Sequence, residues 1–352
     1  MTPAPSVKLV IDGRHFGGIE AHLCQLFIRL KQQGVPCQLV LLSAYSESSF
    51  KTQLKLQKIP FTELSGSSLS KLRQLAVLSH QGVLHSHGYK ANLMTRLACR
   101  LSGTQPVTTF HAGEPGQGRL AWYNRLDKGS ARFSLNVAVS RAIANQVPGP
   151  CPVIRNFVSL SPAEPRSVSP TLRVGFIGRY CRDKGFDRFC RLSRQLPQYQ
   201  WHSFGQGPLS VNIDASTLSD HGHVHNIGRH LANLDLVIMP SRFEGLPLAA
   251  LEAMAAQLPI IAYNVGDLAQ LVDHQVGALI DAGDQPAMID AIHQFARLSP
   301  RQRNQLGQQA RARVERDWHG NDTLARYLSL YRQAAQSMPA ARPAFFDRWL
   351  KG

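Results

Sequence analysis

Two glutamates stand eight positions apart in the segment PSRFEGLPLAALEAMAAQLPIIA (240–262). Glu244 precedes a predicted helix and Glu252 lies inside it. A rise of about 1.5 Å per residue predicts that the two carboxylates are roughly 10 Å apart. That is farther than the ~5 Å between the paired carboxylates of a retaining glycosidase. The spacing suits two carboxylates that hold hydroxyl groups at opposite ends of a sugar–diphosphate–nucleoside.

The helix that contains Glu252 is predicted to begin at Leu246-Pro247 and to end before Pro259. Proline suits a first helical turn, where the backbone N–H has no partner within the helix. The free N–H groups from Gly245 to Leu248 would then point outward and form a site for a phosphate or diphosphate. The alternative is an ordinary helix with one capping and one solvated glutamate. The context of strand, glycine, proline and helix favours the ligand site.

A cationic loop follows another predicted strand in VGFIGRYCRDKGFD (174–187). Arg179 offers five donors in a rigid fork and Lys184 offers a mobile ammonium group, which suits a diphosphate that gains charge as a sugar leaves. The alternative is two solvated loop charges. No Asp-x-Asp motif occurs in the chain. We therefore expect no cofactor and no metal ion at this site, with the cationic loop in the metal's place.

Glycine and histidine mark the ends of strands in the first half of the chain. Gly17 and Gly18 follow the first predicted strand and open the first predicted helix, where backbone without side chains can approach a phosphate; a simple tight turn is the alternative. His111 ends the strand PVTTFHA (106–112). It is expected at the presumed cleft, where it would donate to a sugar hydroxyl or stabilise charge near the anomeric carbon. The alternative is a satisfied loop histidine.

Two histidine-rich segments raise the question of metal binding. In HSHGYK (85–90), His85 and His87 could form a metal pair, but no matching ligands follow along the sequence, so His87 and Lys90 are assigned to the acceptor side. The run HGHVHNIGRH (221–230) is predicted to place alternate histidines on one strand face. A solvated strand is favoured there over a zinc site. The histidines of that face are His221, His223 and His225.

These motifs together resemble those of a known family. EGLPLAALEAMA resembles the Glu-x7-Glu signature of the family 4 retaining glycosyltransferases, and VGFIGRYCRDKGFD is similar to the family's G-R-x4-K-G loop. FGQGPL (204–209), which contains Gly205, is similar to its G-x-G-P turn. Three further stretches match in order and spacing: FGGIEAHL (16–23), VAVSRAIANQV (137–147) and IRNFV (154–158). The resemblance covers nearly the whole chain and is weakest at 44–82 and after 320.

The resemblance implies a fold, an activity and residue roles. The fold would be GT-B, two Rossmann-like doubly wound domains that face a central cleft. The activity would be transfer of a hexose-type sugar from a nucleotide-diphosphate-sugar, with UDP- or GDP-sugars expected, to a hydroxyl of a saccharide or lipid-linked acceptor, with retention of configuration. Glu252 would hold the ribose hydroxyls, Glu244 the donor sugar, and Arg179 and Lys184 the diphosphate. Cell-surface polysaccharide, lipopolysaccharide or glycolipid synthesis is the implied setting.

The chain departs from the family pattern at two positions. Gln257 stands where a glycine usually precedes the Leu-Pro pair, and Gln270 replaces a usual glutamate. Neither residue has a role in the implied transfer chemistry. Both bear on helix ends and nucleotide contacts, so they leave the identity of the substrate open.

Strands and helices alternate along the chain in the manner of a parallel, doubly wound sheet. VKLVID (7–12) and PVIRNF (152–157) are predicted strands, and IEAHLCQLFIRLKQQG (19–34) carries apolar residues on one helical face. The pattern restarts after a Ser- and Pro-rich stretch at 159–170, which predicts a linker between an acceptor-side domain at 1–158 and a nucleotide-sugar-binding domain at 171–329. The C-terminal segment, at about 330–352, is predicted to be helical and to return to the first domain.

Composition excludes several classes of protein. Hydrophobic residues make up 43% and charged residues 18% of the chain, which excludes a disordered or fibrous protein. No apolar run approaches the roughly 18 residues of a membrane span, and the first residues lack the pattern of a signal peptide. The six cysteines have irregular spacing, which predicts reduced thiols in a cytoplasmic protein.

Charge is concentrated in the first half of the chain. The net charge is +16, and residues 1–157 hold 18 basic and 6 acidic residues. Such an excess attracts phosphorylated substrates, an anionic membrane surface or nucleic acid. A basic nucleic-acid-binding protein is the alternative from a different functional class. That hypothesis requires a basic stripe with stacking aromatic residues, which the sequence does not indicate. A nucleotide-sugar epimerase or a phosphorylase on the same fold is an open alternative, whereas GQGPLS (205–210) lacks the third glycine of a dinucleotide-binding motif.

Overall fold

The computed structural model describes residues 4–111, 118–160, 169–224 and 227–338. The chain forms two units. The N-terminal unit comprises the chain up to Arg155 together with the residues from Asn321 onward, and the C-terminal unit is Asn156–Gly320. Each unit contains a six-stranded sheet in which every paired strand is parallel to its neighbour. The prediction of two doubly wound α/β domains is confirmed.

The sheet of the N-terminal unit has the strand order β3-β2-β1-β4-β5-β6. Its strands are β1 Val7–Ile11, β2 Cys37–Leu41, β3 Phe61–Glu63, β4 Val83–His87, β5 Val107–Phe110 and β6 Leu135–Ala138. Its helices are α1 Gly18–Gln32, α2 Ser49–Leu56, α3 Ser68–Ser79, α4 Tyr89–Ser102, α5 Arg119–Gly129, α6 Arg141–Ala144 and α12 Asn321–Gln336. Residues 339–352, for which a helix was also predicted, lie outside the described part of the chain.

The C-terminal unit has the order β12-β11-β10-β7-β8-β9. Its strands are β7 Arg173–Ile177, β8 Gln200–Phe204, β9 Ser219–Asp220, β10 Leu236–Met239, β11 Ile260–Tyr263 and β12 Gly277–Ile280. Its helices are α7 Phe186–Gln195, α8 Ile227–Leu231, α9 Leu248–Ala255, α10 Gln285–Arg297 and α11 Pro300–Asp317. Of the predicted linker, residues 161–168 are not described.

Burial explains why the central strands are continuous apolar runs. The strands β4, β5, β10 and β11 are buried at every position, because helices cover both faces of a doubly wound parallel sheet. Phe176, Phe186 and Phe189 pack with Trp201 in the core of the C-terminal unit. All six cysteines are free thiols, as their spacing predicts. No helix in the described ranges is both long enough and apolar enough to span a membrane.

Three local predictions are wrong. PVIRNF (152–157) does not form a strand; it makes a single bridge between Val153 and Ala138. The helix α9 begins at Leu248, so Pro247 is its extended N-cap residue and not part of the first turn. The strand β9 ends at Asp220, so the histidine-rich run does not continue a strand face at 221 and 223, and residue 225 lies outside the described part of the chain.

The end of α9 explains the unusual Gln257. Its φ of 60° is left-handed, a conformation that favours glycine. Its N–H donates to Met254 O at 3.0 Å, and the N–H of Leu258 donates to Ala253 O at 2.9 Å. These two bonds are those of a Schellman motif, which closes the helix. A glutamine therefore occupies the position that glycine would fill without strain.

The strand order fixes where ligands can bind in each unit. β1 lies between β2 and β4, and β7 lies between β8 and β10, so successive crossovers leave these central strands in opposite directions. Ligands of open parallel sheets bind at the carboxyl ends of the strands at such a switch point. The loops after β1 and β4, and those after β7 and β10, are therefore the positions at which to seek chemistry.

Candidate functional site

An ion pair joins the two loops at the switch point of the C-terminal unit. Lys184, after β7, donates to Oε2 of Glu244, after β10, at 2.6 Å. The Glu244 side chain is 2% exposed and that of Lys184 is 30% exposed. Ser241 Oγ donates to the other carboxylate oxygen of Glu244 at 2.8 Å. The structure thus brings two of the predicted site residues together and adds Ser241, which no sequence motif had indicated.

A second ion pair ties the same loops. Arg242 donates to both carboxylate oxygens of Asp187 at 2.6 and 2.7 Å, and also to the backbone oxygen of Arg182 at 2.6 Å. Burial acts to raise the pKa of Asp187, but the bonds from Arg242 outweigh it and hold that pKa below its usual value. Sequence reasoning missed this bidentate pair, because its two partners become neighbours only when β7 and β10 pair.

Arg179 stands at the exposed edge of this loop. Its side chain is 63% exposed, and its guanidinium lies 4.0 Å from the carboxylate of Asp183. Its Nε also donates to Cys181 Sγ at 3.3 Å. A surface pair at this distance contributes little to stability. Because its side chain is mostly exposed, an anion in solution can reach Arg179.

Glycines let the loop backbones meet at this edge of the sheet. Gly205, after β8, has a φ of 153°, and a Cβ there would overlap the carbonyl oxygen of Gly178. Gly266, after β11, has a φ of 59°, and a Cβ there would overlap the carbonyl oxygen of Glu244. Gly205 therefore holds its loop against the start of the cationic loop. This packing role is additional to the donor-binding role that the motif suggested.

The helix α9 presents an open N-terminus and an unpaired carboxylate. Its N-cap residue Pro247 provides no side-chain cap, so the first N–H groups of the helix need another acceptor. Glu252 is partly buried, and no side chain or backbone group in the described ranges hydrogen-bonds its carboxylate. Burial raises the pKa of Glu252 to about 7. A buried carboxyl group with a raised pKa, at the switch point of a parallel sheet, is a candidate ligand-binding group.

The N-terminal unit has a similar ion pair at its own switch point. Lys90, in the first turn of α4, donates to Oδ2 of Asp12, after β1, at 2.6 Å. Partial burial acts to lower the pKa of Lys90, but the bond to Asp12 outweighs it and raises that pKa. Gly17 is the extended N-cap residue of α1. A Cβ at Gly18 would meet nothing within 4 Å, so the packing of this unit leaves room for a side chain at that position.

Three histidines from three elements gather beside this pair. His22 lies on α1, His87 ends β4 and His111 follows β5. One ring nitrogen of each lies within 4.8 Å of the others, and His87 Nδ1 is 2.9 Å from His111 Nε2. The sequence offers no further ligands downstream of the His85–His87 pair, and the structure places His22 and His111 beside His87. His22 gave no signal, because it lies on the buried face of an amphipathic helix.

His85 supports this cluster from behind. Its Nδ1 lies 2.8 Å from the hydroxyl of Tyr331 on α12, and its Nε2 lies 2.7 Å from Thr109 Oγ1. Burial, followed by repulsion from neighbouring imidazoles, lowers the pKa values of His85, His87 and His111 well below their usual value. These three rings are therefore neutral at pH 7.

In the other histidine-rich segment, His221 pairs with His202 on β8. His221 lies 3.1 Å from His202 and stacks on Phe204, with ring centroids 4.6 Å apart. Within the part of the chain that the structure describes, His22, His87 and His111 are the only group of three residues arranged to hold a metal ion.

Two parts of the chain match family models of glycosyltransferases. Residues 16–161 match the family model described as Glycosyltransferase Family 4, and residues 171–297 match that described as Glycosyl transferases group 1. The lipopolysaccharide core biosynthesis mannosyltransferase LpsB of Rhizobium meliloti is 32% identical over 148 residues, which are 36% of this chain and 42% of LpsB. The 2-deoxystreptamine N-acetyl-D-glucosaminyltransferase of Streptomyces fradiae is 25% identical over 68% of this chain and 67% of its own.

Several curated relatives are matched over only part of their length. The match covers 32% of the putative teichuronic acid biosynthesis glycosyltransferase TuaC of Bacillus subtilis. It covers 42% of LpsB and 39% of the mannosyltransferase LpcC of Rhizobium leguminosarum. The chain therefore spans less than half the length of these relatives.

Solved structures match nearly the whole chain. A TarM variant from S. aureus, in complex with UDP and sugar ligands, matches with a TM-score of 0.81 at 13% identity, over 93% of this chain and 99% of its own. HepE from Anabaena, in complex with UDP-glucose, matches with a TM-score of 0.75 at 18% identity, over 95% and 99%. The chain has the two-domain GT-B fold, and each of its domains matches a glycosyltransferase model.

Proposed function

We propose that this protein is a retaining glycosyltransferase that moves a sugar from a nucleoside-diphosphate-sugar to an acceptor hydroxyl. The observation that carries the proposal is Glu252, a partly buried carboxylate without a partner in the described part of the chain, on a helix whose N-terminus is uncapped. A ribose diol would satisfy the carboxylate, and a diphosphate would satisfy the N–H groups and the neighbouring cations. The relatives' names support a role in cell-surface polysaccharide or lipopolysaccharide synthesis, and we extend the proposal to glycolipid synthesis.

The diphosphate is assigned to Arg179 and Lys184. The Lys184 ammonium has three donors, and the bond to Glu244 at 2.6 Å uses one of them. The Glu244 carboxylate holds Lys184 and accepts from Ser241, so we assign it first to positioning the lysine. Each carboxylate oxygen keeps a second lone pair, with which Glu244 would also accept from a donor-sugar hydroxyl.

Other predicted site residues take supporting roles in this proposal. The backbone from Gly245 through Leu246 and Pro247 to Leu248 would contact sugar and phosphate, and Gly205 would hold the neighbouring loop in place. His111, neutral at pH 7, would donate a ring N–H to a sugar hydroxyl. Gly17 and Gly18 would let the start of α1 approach a phosphate. The acceptor side is assigned to His87 and Lys90.

The transfer step is proposed to occur on one face of the sugar. The bond from the anomeric carbon to the diphosphate oxygen breaks as the bond to the acceptor oxygen forms, and the acceptor proton passes to the departing phosphate. Arg179 and Lys184 stabilise the negative charge that develops on that phosphate. No covalent nucleophile is required. These two cations do the work of a divalent ion, so we propose that the transfer step itself needs no metal.

An exposed aromatic surface favours a lipid-linked acceptor at an anionic membrane. On α5, Trp122 is 67% exposed, Tyr123 45% and Leu126 52%, and Tyr123 stacks on Tyr89 of α4. Amphipathic aromatic rings beside cationic side chains are typical of surfaces that rest on lipid headgroups. The excess of basic residues in 1–157 provides the complementary charge. We therefore propose peripheral association with the membrane's cytoplasmic face through α5.

Vesicle sedimentation tests this surface. Wild-type protein should bind vesicles that contain anionic lipid and not vesicles of neutral lipid. Trp122→Ser should weaken that binding, whereas Val211→Ser should not, because Val211 is 87% exposed but belongs to the C-terminal unit. Equal binding to both kinds of vesicle, or an equal loss in both variants, would contradict the assignment.

Thermal denaturation with UDP, GDP, ADP or NAD, each with and without EDTA, tests the donor site. A ligand at 100 times its Kd adds about 2.7 kcal/mol, which is several degrees for a unit of this size. One nucleoside diphosphate should raise Tm, with no effect of EDTA, and Glu252→Ala should abolish the shift. Glu315→Ala, a surface change in the same unit, should retain it. A rise in Tm with NAD alone, or only when nucleic acid is added instead of a nucleotide, would reject the proposal.

Product analysis tests the reaction class. An anomeric proton spectrum of the product should show the same configuration as the donor sugar. A nucleotide sugar converted in the absence of any acceptor would identify an epimerase instead.

A further inference from the structure

The N-terminal unit gathers more histidines at one place than the proposed sugar transfer requires. The proposed function uses one donor from His111, yet His22 and His87 lie with it, and the three ring centroids are between 5.0 and 5.8 Å apart. His22 and His87 are 0% and 1% exposed. Burying several imidazoles together is costly unless their nitrogen atoms are satisfied. The Nε2 atom of His87 is buried and has no hydrogen-bond partner in the described ranges.

The donor set indicates the kind of ligand. Three imidazoles offer ring-nitrogen lone pairs, which bind a borderline transition-metal ion such as Zn²⁺. The group contains no carboxylate, so it does not suit Mg²⁺ or Ca²⁺, which require oxygen ligands. Sites with three histidines usually leave a fourth position to water or substrate. The ordinary reading, three histidines that only hydrogen-bond each other, leaves the buried nitrogen of His87 unexplained.

Neighbouring side chains would orient the ligands. The hydroxyl of Tyr327 lies 3.4 Å from His22 Nε2, and the ring of His85 lies 4.2 Å from that of His87. His85 is itself fixed by Tyr331 and Thr109, through the contacts described above. Partners of this kind fix the rotation of metal-binding rings and are as important as the ligands themselves.

We propose that His22, His87 and His111 form a binding site for a single Zn²⁺-class ion. With Zn–N distances of about 2.0–2.1 Å, tetrahedral ligand atoms stand roughly 3.4 Å apart. The nitrogens now lie within 4.8 Å of one another, so modest ring rotations close the site. The ion takes a lone pair from His111 and replaces the His87–His111 hydrogen bond. Bound metal therefore immobilises the residue that is assigned to the donor sugar.

Inhibition of sugar transfer by Zn²⁺ is the consequence, and this part rests on the proposed function. EDTA should restore activity in protein that has been exposed to Zn²⁺. It should leave metal-free protein unchanged, because the transfer step itself needs no metal. Binding of the ion does not depend on any activity. A protein that binds Zn²⁺ but transfers no sugar would retain the metal site and lose the proposed function.

Calorimetric titration with ZnCl₂ tests the site. The full chain is used, and it is prepared without a polyhistidine tag. We expect one ion per chain, and at least a 100-fold weaker affinity in His22→Gln and in His87→Gln. His221→Gln is the matched control, because it removes a histidine from a pair 3.1 Å apart in the other unit. Unchanged affinity in the first two variants, or a loss in the control, would overturn the site.

A second measurement avoids variants that fail to fold. Zinc X-ray absorption on the unmodified protein counts the imidazoles bound to the ion. Three imidazoles support the assignment, and two or fewer overturn it. Absence of any Zn²⁺ binding to folded wild-type protein would also overturn it.

Discussion

The carboxyl group of Glu252 should make donor binding depend on pH between 6 and 8. Burial raises the pKa of this group to about 7 in the free protein. Ribose hydroxyls donate to the carboxylate and therefore require its ionised form. About one tenth of the protein is ionised at this residue at pH 6 and about nine tenths at pH 8. Because apparent affinity scales with the competent fraction, Kd should be about tenfold higher at pH 6 than at pH 8.

The same pKa has an opposite effect on folding. The ordinary pKa of glutamate is 4.5, so the folded protein holds this proton more tightly than the unfolded chain does. Its contribution to stability is therefore greatest below pH 4.5, falls as the pH rises toward 7 and is constant above that. A difference of about 2.5 pH units corresponds to at most ~3 kcal/mol, and partial exposure of the residue reduces it. Glu252→Gln should thus stabilise the free protein at pH 8 while it weakens donor binding.

Calorimetric titration with UDP-glucose or GDP-mannose at pH 6, 7 and 8 measures the effect. A nucleotide sugar is the right probe, because its diphosphate is a diester and has no proton to lose in this range. Glu252→Gln should bind weakly and with no such pH dependence, and Glu315→Gln should behave as wild type. Affinity that is flat with pH in the wild type, or an unchanged slope in Glu252→Gln, would refute the reasoning.

Three further variants test individual features of the C-terminal unit. Gln257→Gly should relieve the left-handed strain at the end of α9 and stabilise the unit by about 1 kcal/mol, which is a rise of roughly 2–4 °C in Tm; Gln257→Ala should give no such rise. Gly205→Ala should separate two loops and abolish the thermal shift with nucleotide; Gly18→Ala, a glycine replacement in the N-terminal unit, should fold normally because its Cβ meets open space. Ser241→Ala should destabilise the unit by about 1–3 kcal/mol in urea denaturation, since it removes a donor to the buried Glu244; wild-type stability would contradict that role.

The sequence predicts the elements of this fold better than their arrangement. Buried parallel strands such as β4 and β10 are uninterrupted apolar runs, and α1 has a clear apolar face, so both kinds of element are recognisable locally. The short strands β3 and β9 have no such signal, because two or three residues show no periodicity. The residue types of PVIRNF predict a strand, but only Val153 forms a β-bridge, with Ala138 at the end of β6.

Contacts between strand ends could not be predicted, because they depend on the order of strands in the sheet. Lys184 meets Glu244 only because β7 pairs with β10 across the switch point. His22 lies beside His87 and His111 only because β4 pairs with β5 and α1 belongs to the same unit. The sequence motifs identified Lys184, Glu244, His87 and His111 as residue types that do chemistry. They gave no information about which of these would touch.

Both units have a lysine–carboxylate pair at the switch point of the sheet, with the two residue types in exchanged positions: Lys184 follows the central strand β7 and Glu244 follows β10, whereas Asp12 follows the central strand β1 and Lys90 begins α4 after β4. Lys184–Glu244 is the more buried pair, with the acid 2% exposed against 12% for Asp12 in Lys90–Asp12. Removing a lysine from a buried pair leaves an uncompensated carboxylate, which is strongly destabilising in its own right. Loss of donor binding in a Lys184 variant would therefore combine a lost phosphate contact with a disturbed Glu244. Only the double replacement of Lys184 and Glu244, compared with each single one, separates the two effects.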